Sequence, residues 1–314
     1  MANQAAAATV WNCPNYVGEL FLIGANQTPF LNMIGGLQGA RAKATRSFQF
    51  PCAQPWALES ASQPALTETA SLTAPTPTTY VRTQDTNTVQ IYQEQVSVSY
   101  AKQSVIGEIS GLSIVGDQPV QNEKDFQIAA NLRQIAVDAD YTMLNGAYNA
   151  AANAGDAAKT RGIITATTTN TVAAGAAALT KALIDQLLRT MAGNGAQFVD
   201  CVLFCNAFQK QKITNIYGYA PEDRSYGGLN IKQIETDFAI LGIVYAPNVP
   251  AATLLIADLS VVFPVFLMVP EKGVLFYEEL SKTGASEKGQ IYGQIGLDYG
   301  PEEYHGTITG LATS

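Results

Sequence analysis

The chain has 314 residues, enough to bury a substantial core in one large domain or two, and its 26 acidic and 18 basic residues give a formal net charge of −8. Only 14% of the residues are charged, against about 25% in an average globular protein. We therefore expect neighbouring chains to cover much of the surface, although abundant neutral polar residues are an alternative explanation. The acidic balance, with no basic cluster beyond Arg41, Lys43 and Arg46, argues against tight nucleic-acid binding.

No basic N-terminal region and no long apolar run is present, which argues against a secretory signal and against a membrane span. Residues 1–44 are predicted to form an arm that has no core of its own. Thr28-Pro29 predicts the start of a short helix and Gly35-Gly36 its end. The apolar clusters of this arm are too small to fold alone, so they need a surface in the same subunit or in the next one.

From Thr45 the apolar residues recur with a period of two, which predicts a strand through Cys52. Thr86–Tyr100 predicts a second strand, with a change of parity at Gln93–Gln95 that indicates a bulge. The stretch between them, 57–84, is polar and rich in Ala, Thr, Ser and Pro. We expect an extended loop carried on the two strands; a disordered linker is the alternative.

The longest helical pattern of the chain runs from Asp117 to Ala152. Asp117 can cap it, Pro119 lies in the first turn, and neither Gly nor Pro interrupts the pattern before Gly146. Thirty residues in a helix would span about 45 Å, which is long for a globular domain. The low-complexity stretch that follows, Ala166–Ala178, is predicted to be a flexible connector.

The rest of the chain predicts a mixed α/β region. An amphipathic helix is expected over Thr180–Ala192, with Leu187 on its apolar stripe, and a second helix from Asn206 to about Tyr217, followed by a loop to Gly228. Strands are expected at Phe198–Cys205, Asn230–Ile234, Leu241–Ala246, Thr253–Asp258 and Val274–Glu278. A terminal hairpin is expected around Gly300-Pro301, pairing Ile291–Tyr299 with Tyr304–Leu311.

The sequence holds no recognisable catalytic or cofactor-binding motif. No phosphate-binding loop, dinucleotide fingerprint or nucleophile elbow occurs, and a single histidine, His305, is too few for most zinc sites. His305 is expected to be a solvated strand residue, and Cys201 and Cys205 free buried thiols. Paired carboxylates such as Glu302/Glu303 are interpreted as solvated charge. We therefore expect a protein that is not an enzyme and that needs no cofactor and no metal.

Two stretches resemble a known family. Asn87-Thr88-Val89-Gln90-Ile91, followed by Val96-Ser97-Val98-Ser99, resembles the descending strand of the E-loop in major capsid proteins of tailed bacteriophages, the Hong Kong 97-type fold shared with encapsulins. Ile234–Phe238, with Ala257-Asp258-Leu259, resembles the axial-domain segment of that family. The order of an arm, an extended loop, a long helix and a mixed domain is similar as well.

The resemblance implies an α+β Hong Kong 97-like fold with five parts. These are an N-terminal arm (1–44), an E-loop with its strands (45–98), a peripheral domain (99–195) around a spine helix (117–152), an axial domain (196–270), and terminal strands (271–314) that return to the peripheral domain. It also implies a virion protein assembled in the host cytoplasm. Its partners would be copies of itself in hexamers and pentamers, portal and scaffolding proteins, a decoration protein, and enclosed double-stranded DNA bound without sequence preference.

Contacts between subunits are then expected at ten residues of the arm, the E-loop and the Tyr-rich loop: Phe21, Phe30, Leu31, Trp56, Leu66, Tyr80, Arg82, Tyr217, Tyr219 and Tyr226. Some relatives cross-link through an E-loop lysine, but 57–84 contains no Lys, so the shell should be held non-covalently. A chain lacking residues 1–44 should keep a folded body. The alternatives are an encapsulin-type compartment with a protein cargo and, with less support, a soluble α+β enzyme.

Overall fold

The computed structural model describes residues 27–37, 41–106, 123–217, 233–282 and 284–313. The helices are α1 (Pro29–Met33), α2 (Glu68–Ser71), α3 (Tyr100–Ile106), α4 (Glu123–Asn145), α5 (Ile163–Ala166), α6 (Lys181–Gly193) and α7 (Ala207–Tyr217). The strands are β1 (Lys43–Thr45), β2 (Gln49–Ala53), β3 (Asp85–Thr88), β4 (Gln90–Ser99), β5 (Thr171–Ala173), β6 (Cys201–Cys205), β7 (Gln233–Glu235), β8 (Ile240–Tyr245), β9 (Leu254–Asp258), β10 (Phe263–Leu267), β11 (Leu275–Glu279), β12 (Ser286–Asp298) and β13 (Gly306–Thr309).

The first sheet is organised around β12, its longest strand. β4 runs antiparallel along one edge of β12, from Ser99 opposite Ser286 to Gln90 opposite Ile295. β11 and then β10 pair antiparallel along the other edge, and β1 adds to β10 in parallel. On β4 the buried residues Tyr92, Val96 and Val98 alternate with exposed ones, because one face of the strand packs on the core and the other meets water.

The long helix α4 packs its buried stripe against this first sheet. Ile135, Ala139 and Met143 recur at helical spacing and are buried with residues of β4 and β12. Ion pairs hold the start of the helix: Glu123 bonds Lys102 at 2.7 Å, and Lys124 bonds Glu279 at 2.7 Å. α4 ends at Asn145, so the predicted end of this helix at Ala152 is wrong. Gly146 follows, and a Cβ there would lie 2.4 Å from the carbonyl oxygen of Thr160, so the close approach of that segment requires glycine.

Within the described ranges, the second sheet has six strands in the order β5-β13-β9-β6-β8-β7, and it is buried on both faces at its centre. On β6, Cys201, Leu203 and Cys205 face a core shared with α6 and α7, while Val202 and Phe204 face the core shared with α4 and the first sheet. All five residues of β6 and all five of β9 are buried. Continuous apolar runs of this kind are typical of strands covered on both sides.

Several predicted elements have the expected positions. α6 begins after Thr180, whose Oγ1 accepts a hydrogen bond from the N–H of Leu183. The Oδ1 of Asn206 accepts from the N–H of Gln209 at the start of α7. Gly35 and Gly36 end α1 with φ angles of 109° and 69°, a conformation that glycine adopts without strain. These starts and stops are local, which is why the sequence predicts them well.

Three predictions about the strands and the segments that join them are wrong. β12 and β13 form no terminal hairpin: β12 belongs to the first sheet, and β13 pairs with β5 and β9 in the second. The stretch 166–178 is not a flexible connector, because β5 lies in it and Val172 is buried. The bulge expected at Gln93–Gln95 is absent, since β4 pairs with β12 in one unbroken register; the strand is instead interrupted at Val89.

Residues 1–44 are not removable as a whole. The side chains of Phe30 and Leu31 are buried in the main core, and the ring of Phe30 contacts that of Phe204 edge-on at 5.3 Å. The buried carboxylate of Asp140 accepts hydrogen bonds from the N–H of Leu31 at 2.9 Å and from the side chain of Asn248 at 2.8 Å. Deletion of residues 1–44 would open this core, so the expectation of a folded body without them is not retained.

The two sheets cut across the five expected parts, whose limits remain a prediction. β5 and α6 lie within the stretch expected to be peripheral, yet β5 is a strand of the second sheet and α6 packs against it. β10 lies within the stretch expected to be axial, yet it is a strand of the first sheet. Consecutive strands can belong to different sheets, and composition does not show where the chain passes from one sheet to the other. Residues 117–122 of the expected spine helix lie outside the described residues.

Candidate assembly surfaces

A long loop, residues 54–84, projects from the body on a two-stranded stem formed by β2 and β3. We call it the projecting loop. Its two limbs meet near the stem, where the N–H and the Oγ1 of Thr83 both donate to the carbonyl oxygen of Pro55 at 3.2 and 3.4 Å. The Trp56 and Tyr80 rings stack edge-on just beyond, 6.3 Å apart. Every residue from 56 to 84 is exposed, so the loop has no core of its own.

The projecting loop carries large apolar side chains with few charges beside them. The exposed ones are Trp56 (58%), Leu58, Leu66, Leu72 (85%), Tyr80 and Val81 (74%). The only charged residues from 54 to 84 are Glu59, Glu68 and Arg82. Burying one such side chain contributes about 1.5–3 kcal/mol, so the loop carries several side chains that would gain from cover by another surface. The loop is therefore a candidate surface for contact with another chain.

A second apolar patch lies at the β7 end of the second sheet. Val199, Phe238 and Ile240 are exposed there, and the Phe238 ring stacks on that of Phe198 at a centroid distance of 6.1 Å. Phe198 has a φ of 53°, unusual for a bulky residue, and directly precedes the exposed Val199. A cleft of about 390 Å³ beside the patch is lined by α6 and by residues 236–238. This patch is a second candidate for contact between chains.

The structure separates the ten predicted contact residues. Trp56, Leu66, Tyr80 and Arg82 lie together on the projecting loop and are exposed. Phe30 and Leu31 are covered by their own chain. Tyr217 is half-buried against the second core, and burial raises the pKa of its hydroxyl, which has no hydrogen-bond partner among the described residues. Phe21, Tyr219 and Tyr226 lie outside the described residues.

Several exposed apolar residues are not among the ten predicted contact residues. Leu58, Leu72 and Val81 share the projecting loop with the predicted ones, and Val199, Phe238 and Ile240 form the second patch. Leu58, Leu72 and Val81 could have been found from the sequence. Each is a large apolar residue in a polar, Pro-rich stretch whose pattern has no period that would predict burial. No such signal marks the second patch, because its residues flank buried strands.

His305 is fully buried, so the expectation of a solvated residue is wrong. Its Nε2 lies 2.6 Å from the carbonyl oxygen of Tyr299, and its Nδ1 lies 3.2 Å from the N–H of Asp258. The ring must therefore donate from Nε2 and accept at Nδ1, which is the neutral form. Burial lowers the pKa of His305, partly offset by the hydrogen bond to Tyr299. With both nitrogens engaged, the ring stabilises the crossing between the two sheets.

The buried carboxylates also make structural contacts. Burial alone would raise the pKa of Asp258, but hydrogen bonds from Ser260, Val199 and Asp200 outweigh it and hold the pKa below the ordinary value. Glu302 is not merely solvated, because its carboxylate accepts from the N–H and hydroxyl groups of Thr168 and Thr169. These hydrogen bonds hold the loops around Asp258 and Glu302 in place.

The three cysteines among the described residues are poorly suited to nucleophilic chemistry. Burial raises the pKa of Cys52, of Cys201 and of Cys205 to about 12 in each case. A thiol with so high a pKa holds almost no thiolate at neutral pH. Among the described residues, no group of three or more His, Cys, Asp or Glu side chains is placed to hold a metal ion, and no described helix is both long and apolar enough to cross a bilayer.

Solved structures share this fold over nearly their whole length at low sequence identity. A chain of the cyanophage A-1(L) capsid asymmetric unit aligns with a TM-score of 0.66, 13% identity and 96% coverage of either chain. A chain of the native GTA particle capsid gives 0.60, 12% identity, and coverage of 99% of this chain and 100% of that one. A chain of the holo-SrpI encapsulin complex of Synechococcus elongatus gives 0.59, 10% identity, and coverage of 100% and 97%. The fold is therefore the Hong Kong 97-like fold expected from the sequence.

The family follows from a separate comparison. The family model of the SU10 major capsid protein matches residues 2–312, and the chain belongs to that family. It is accordingly a major capsid protein, a structural component of the virion. No curated protein matches it.

Proposed function

We propose that this capsid protein assembles with copies of itself, as hexamers and pentamers, into an icosahedral shell around a double-stranded DNA phage genome. The supporting observation is the projecting loop, whose apolar side chains are exposed to solvent on the isolated subunit. In the shell this loop is the E-loop and lies on a neighbouring copy, where burial of its aromatic and aliphatic residues drives association. The subunit is non-catalytic, and its mechanism is the geometry of its contacts.

The assembly is held without covalent links through the loop. No Lys occurs between residues 57 and 84, so the loop has no amine for an isopeptide bond. The net charge of −8 disfavours strong attraction between the shell and its DNA, which suits a container that must later release its content. Assembly takes place in the host cytoplasm, with portal and scaffolding proteins and a decoration protein as further partners.

An encapsulin-type compartment is the second candidate, favoured by the likeness to the SrpI encapsulin chain, which shares the same fold. The two functions differ in the content of the shell. The family match and the phage capsid chains favour the genome shell.

Electron microscopy of the expressed full chain tests the proposal. We expect closed shells or ring-shaped capsomers, and nuclease-resistant DNA in particles taken from infected cells. Shells that carry a protein cargo and no DNA would establish the encapsulin function. A chain that remains monomeric both alone and with the other proteins of its virion would overturn both.

A further inference from the structure

One fully buried amide, that of Asn87 on β3, joins the stem of the projecting loop to the body. Its Nδ2 donates to the carbonyl oxygens of Leu297 at 2.7 Å and of Arg161 at 3.1 Å. Its Oδ1 accepts from the N–H of Arg161 at 2.7 Å and from its own neighbour Thr88 at 2.9 Å. Asn87 is 0% exposed, and all four bonds that a carboxamide can readily make are formed.

These four bonds join three different parts of the chain. Leu297 lies near the end of β12, and Arg161 lies in a segment, 159–162, that follows α4. Thr88 adds a hydrogen bond from its Oγ1 to the carbonyl oxygen of Lys159 at 2.9 Å, and the N–H of Leu297 donates to Thr160 Oγ1 at 3.3 Å. The stem, the first sheet and segment 159–162 are therefore joined in one polar cluster with Asn87 at its centre.

Segment 159–162 also contacts the C-terminal end of α4. The N–H of Gly162 donates to the carbonyl oxygen of Gly146 at 2.8 Å. A Cβ on Gly162 would lie 2.6 Å from the backbone of Leu144, so only glycine permits this approach. Apolar contacts also hold the stem: Phe50 and Val89 pack with Val265, and Cys52 packs both against this cluster and against the core shared with α4. The buried polar cluster adds directional bonds to these contacts, and a fully satisfied polar network favours one defined arrangement of the groups that it joins.

We propose that Asn87 is a positioning residue for assembly: its amide sets the angle at which the projecting loop leaves the body and couples that angle to the end of α4. The inference rests on the proposed function, in which the loop lies on a neighbouring copy. A small rotation at the stem is multiplied along a loop of this length. The angle at Asn87 therefore determines whether the loop reaches its neighbour at the curvature that closes a shell.

Asn87→Ala in the full-length chain is the main test, with Thr88→Val as a milder variant that removes only the bond to Lys159. The matched control is Leu187→Ala, which opens the core under α6 without a contact to the stem. Two quantities are measured beside the unfolding temperature. One is the fraction of closed shells of uniform diameter, by electron microscopy. The other is the distance between spin labels at Val81→Cys and Ala129→Cys in a Cys13→Ser background, with labelled subunits diluted among unlabelled ones.

We expect Asn87→Ala to shift or broaden the label distance and to lower the fraction of uniform closed shells at least several-fold, with Thr88→Val intermediate. Leu187→Ala should lower the unfolding temperature at least as much and leave both quantities unchanged. Equal label distances in Asn87→Ala and Leu187→Ala would overturn the inference while leaving the proposed function intact. Absence of particles from the unaltered chain, both alone and with the other proteins of its virion, would overturn the proposed function, and the label distance would still decide whether Asn87 orients the loop.

Discussion

Two regions of this molecule carry large apolar side chains and place them in opposite environments. In the second sheet, β6 and β9 bury every residue, and α6 covers one face with Ile184, Leu187, Leu188 and Met191. In the projecting loop, Trp56, Leu72 and Val81 are largely exposed to water. The apolar side chains of the sheet are therefore covered within one subunit. Those of the projecting loop receive no such cover from the described part of their own chain.

Under the proposed function, this difference divides stability between the subunit and its assembly. Mutations in the second core should change the free energy of unfolding of the subunit. Mutations in the projecting loop should change the free energy of association and leave unfolding almost untouched, because an exposed side chain contributes little to the folded state.

Leu187→Asp should lower the free energy of unfolding by about 4 kcal/mol or more, because it places a charge at a fully buried position among apolar side chains. Thermal unfolding measures the effect. Gln186→Asp, one residue away on the exposed face of α6, is the control and should stay within about 0.5 kcal/mol of the unaltered chain. Equal unfolding temperatures for the two variants would contradict the assignment of α6 to the core.

Trp56→Ala should weaken association while leaving the fold of the subunit unchanged. Loss of about 2 kcal/mol of burial at each contact corresponds to a rise of at least about tenfold in the concentration needed for assembly. Light scattering as a function of protein concentration measures it. Thr73→Ala, which changes a polar residue of the same loop, should assemble like the unaltered chain. If Trp56→Ala lowered the unfolding temperature of the free subunit and left assembly unchanged, Trp56 would stabilise the subunit and not the contact between copies.

His305 should make the subunit lose stability at mildly acid pH. Its pKa is lowered in the folded state, so the unfolded chain binds the proton first, and stability falls as the pH drops below the unfolded value of about 6.5. The slope is at most about 1.4 kcal/mol per pH unit. Urea unfolding of His305→Gln across pH 7 to about 4.5 should show a flatter dependence on pH.

Three carboxylates also change the dependence of stability on pH, and they restrict the pH range in which the effect of His305 can be measured. Asp258 and Glu302 face His305 and have lowered pKa values, so the stability they contribute is lost below about pH 4, where the unfolded groups bind protons. Burial raises the pKa of Asp140, which acts in the opposite direction and adds stability as the pH falls. The comparison is therefore best repeated in Asp140→Asn. An unchanged slope in both backgrounds would show that His305 is not the titrating group.

Thr180→Ala should cost about 1 kcal/mol, because it removes the side chain that caps the first turn of α6. Thr180→Ser keeps the hydroxyl and should recover most of the loss. Chemical denaturation at neutral pH measures both. A loss confined to assembly, with no change in unfolding, would place the start of α6 at a contact between subunits and weaken the contrast between core and loop.

Local features of the fold were predictable from residues close together in sequence. Thr180 and Gly193-Asn194-Gly195 delimit α6, Asn206 begins α7, and a Pro-rich polar stretch between two alternating strands predicts the projecting loop. Four of the predicted contact residues lie on that loop. The low charge content and the family resemblance both indicate self-assembly, because shell proteins replace charged surface with contacts between copies.

The tertiary structure alone decided which sheet each strand joins and which polar residues are buried. β12 and β13 follow each other in the chain but lie in different sheets, because their pairing partners, β4 and β5, come from distant parts of the sequence. His305 and Asn87 look like ordinary polar strand residues until Tyr299, Asp258, Arg161 and Leu297 surround them. The burial of a residue depends on what the rest of the chain places around it, and periodicity within one segment does not contain that information.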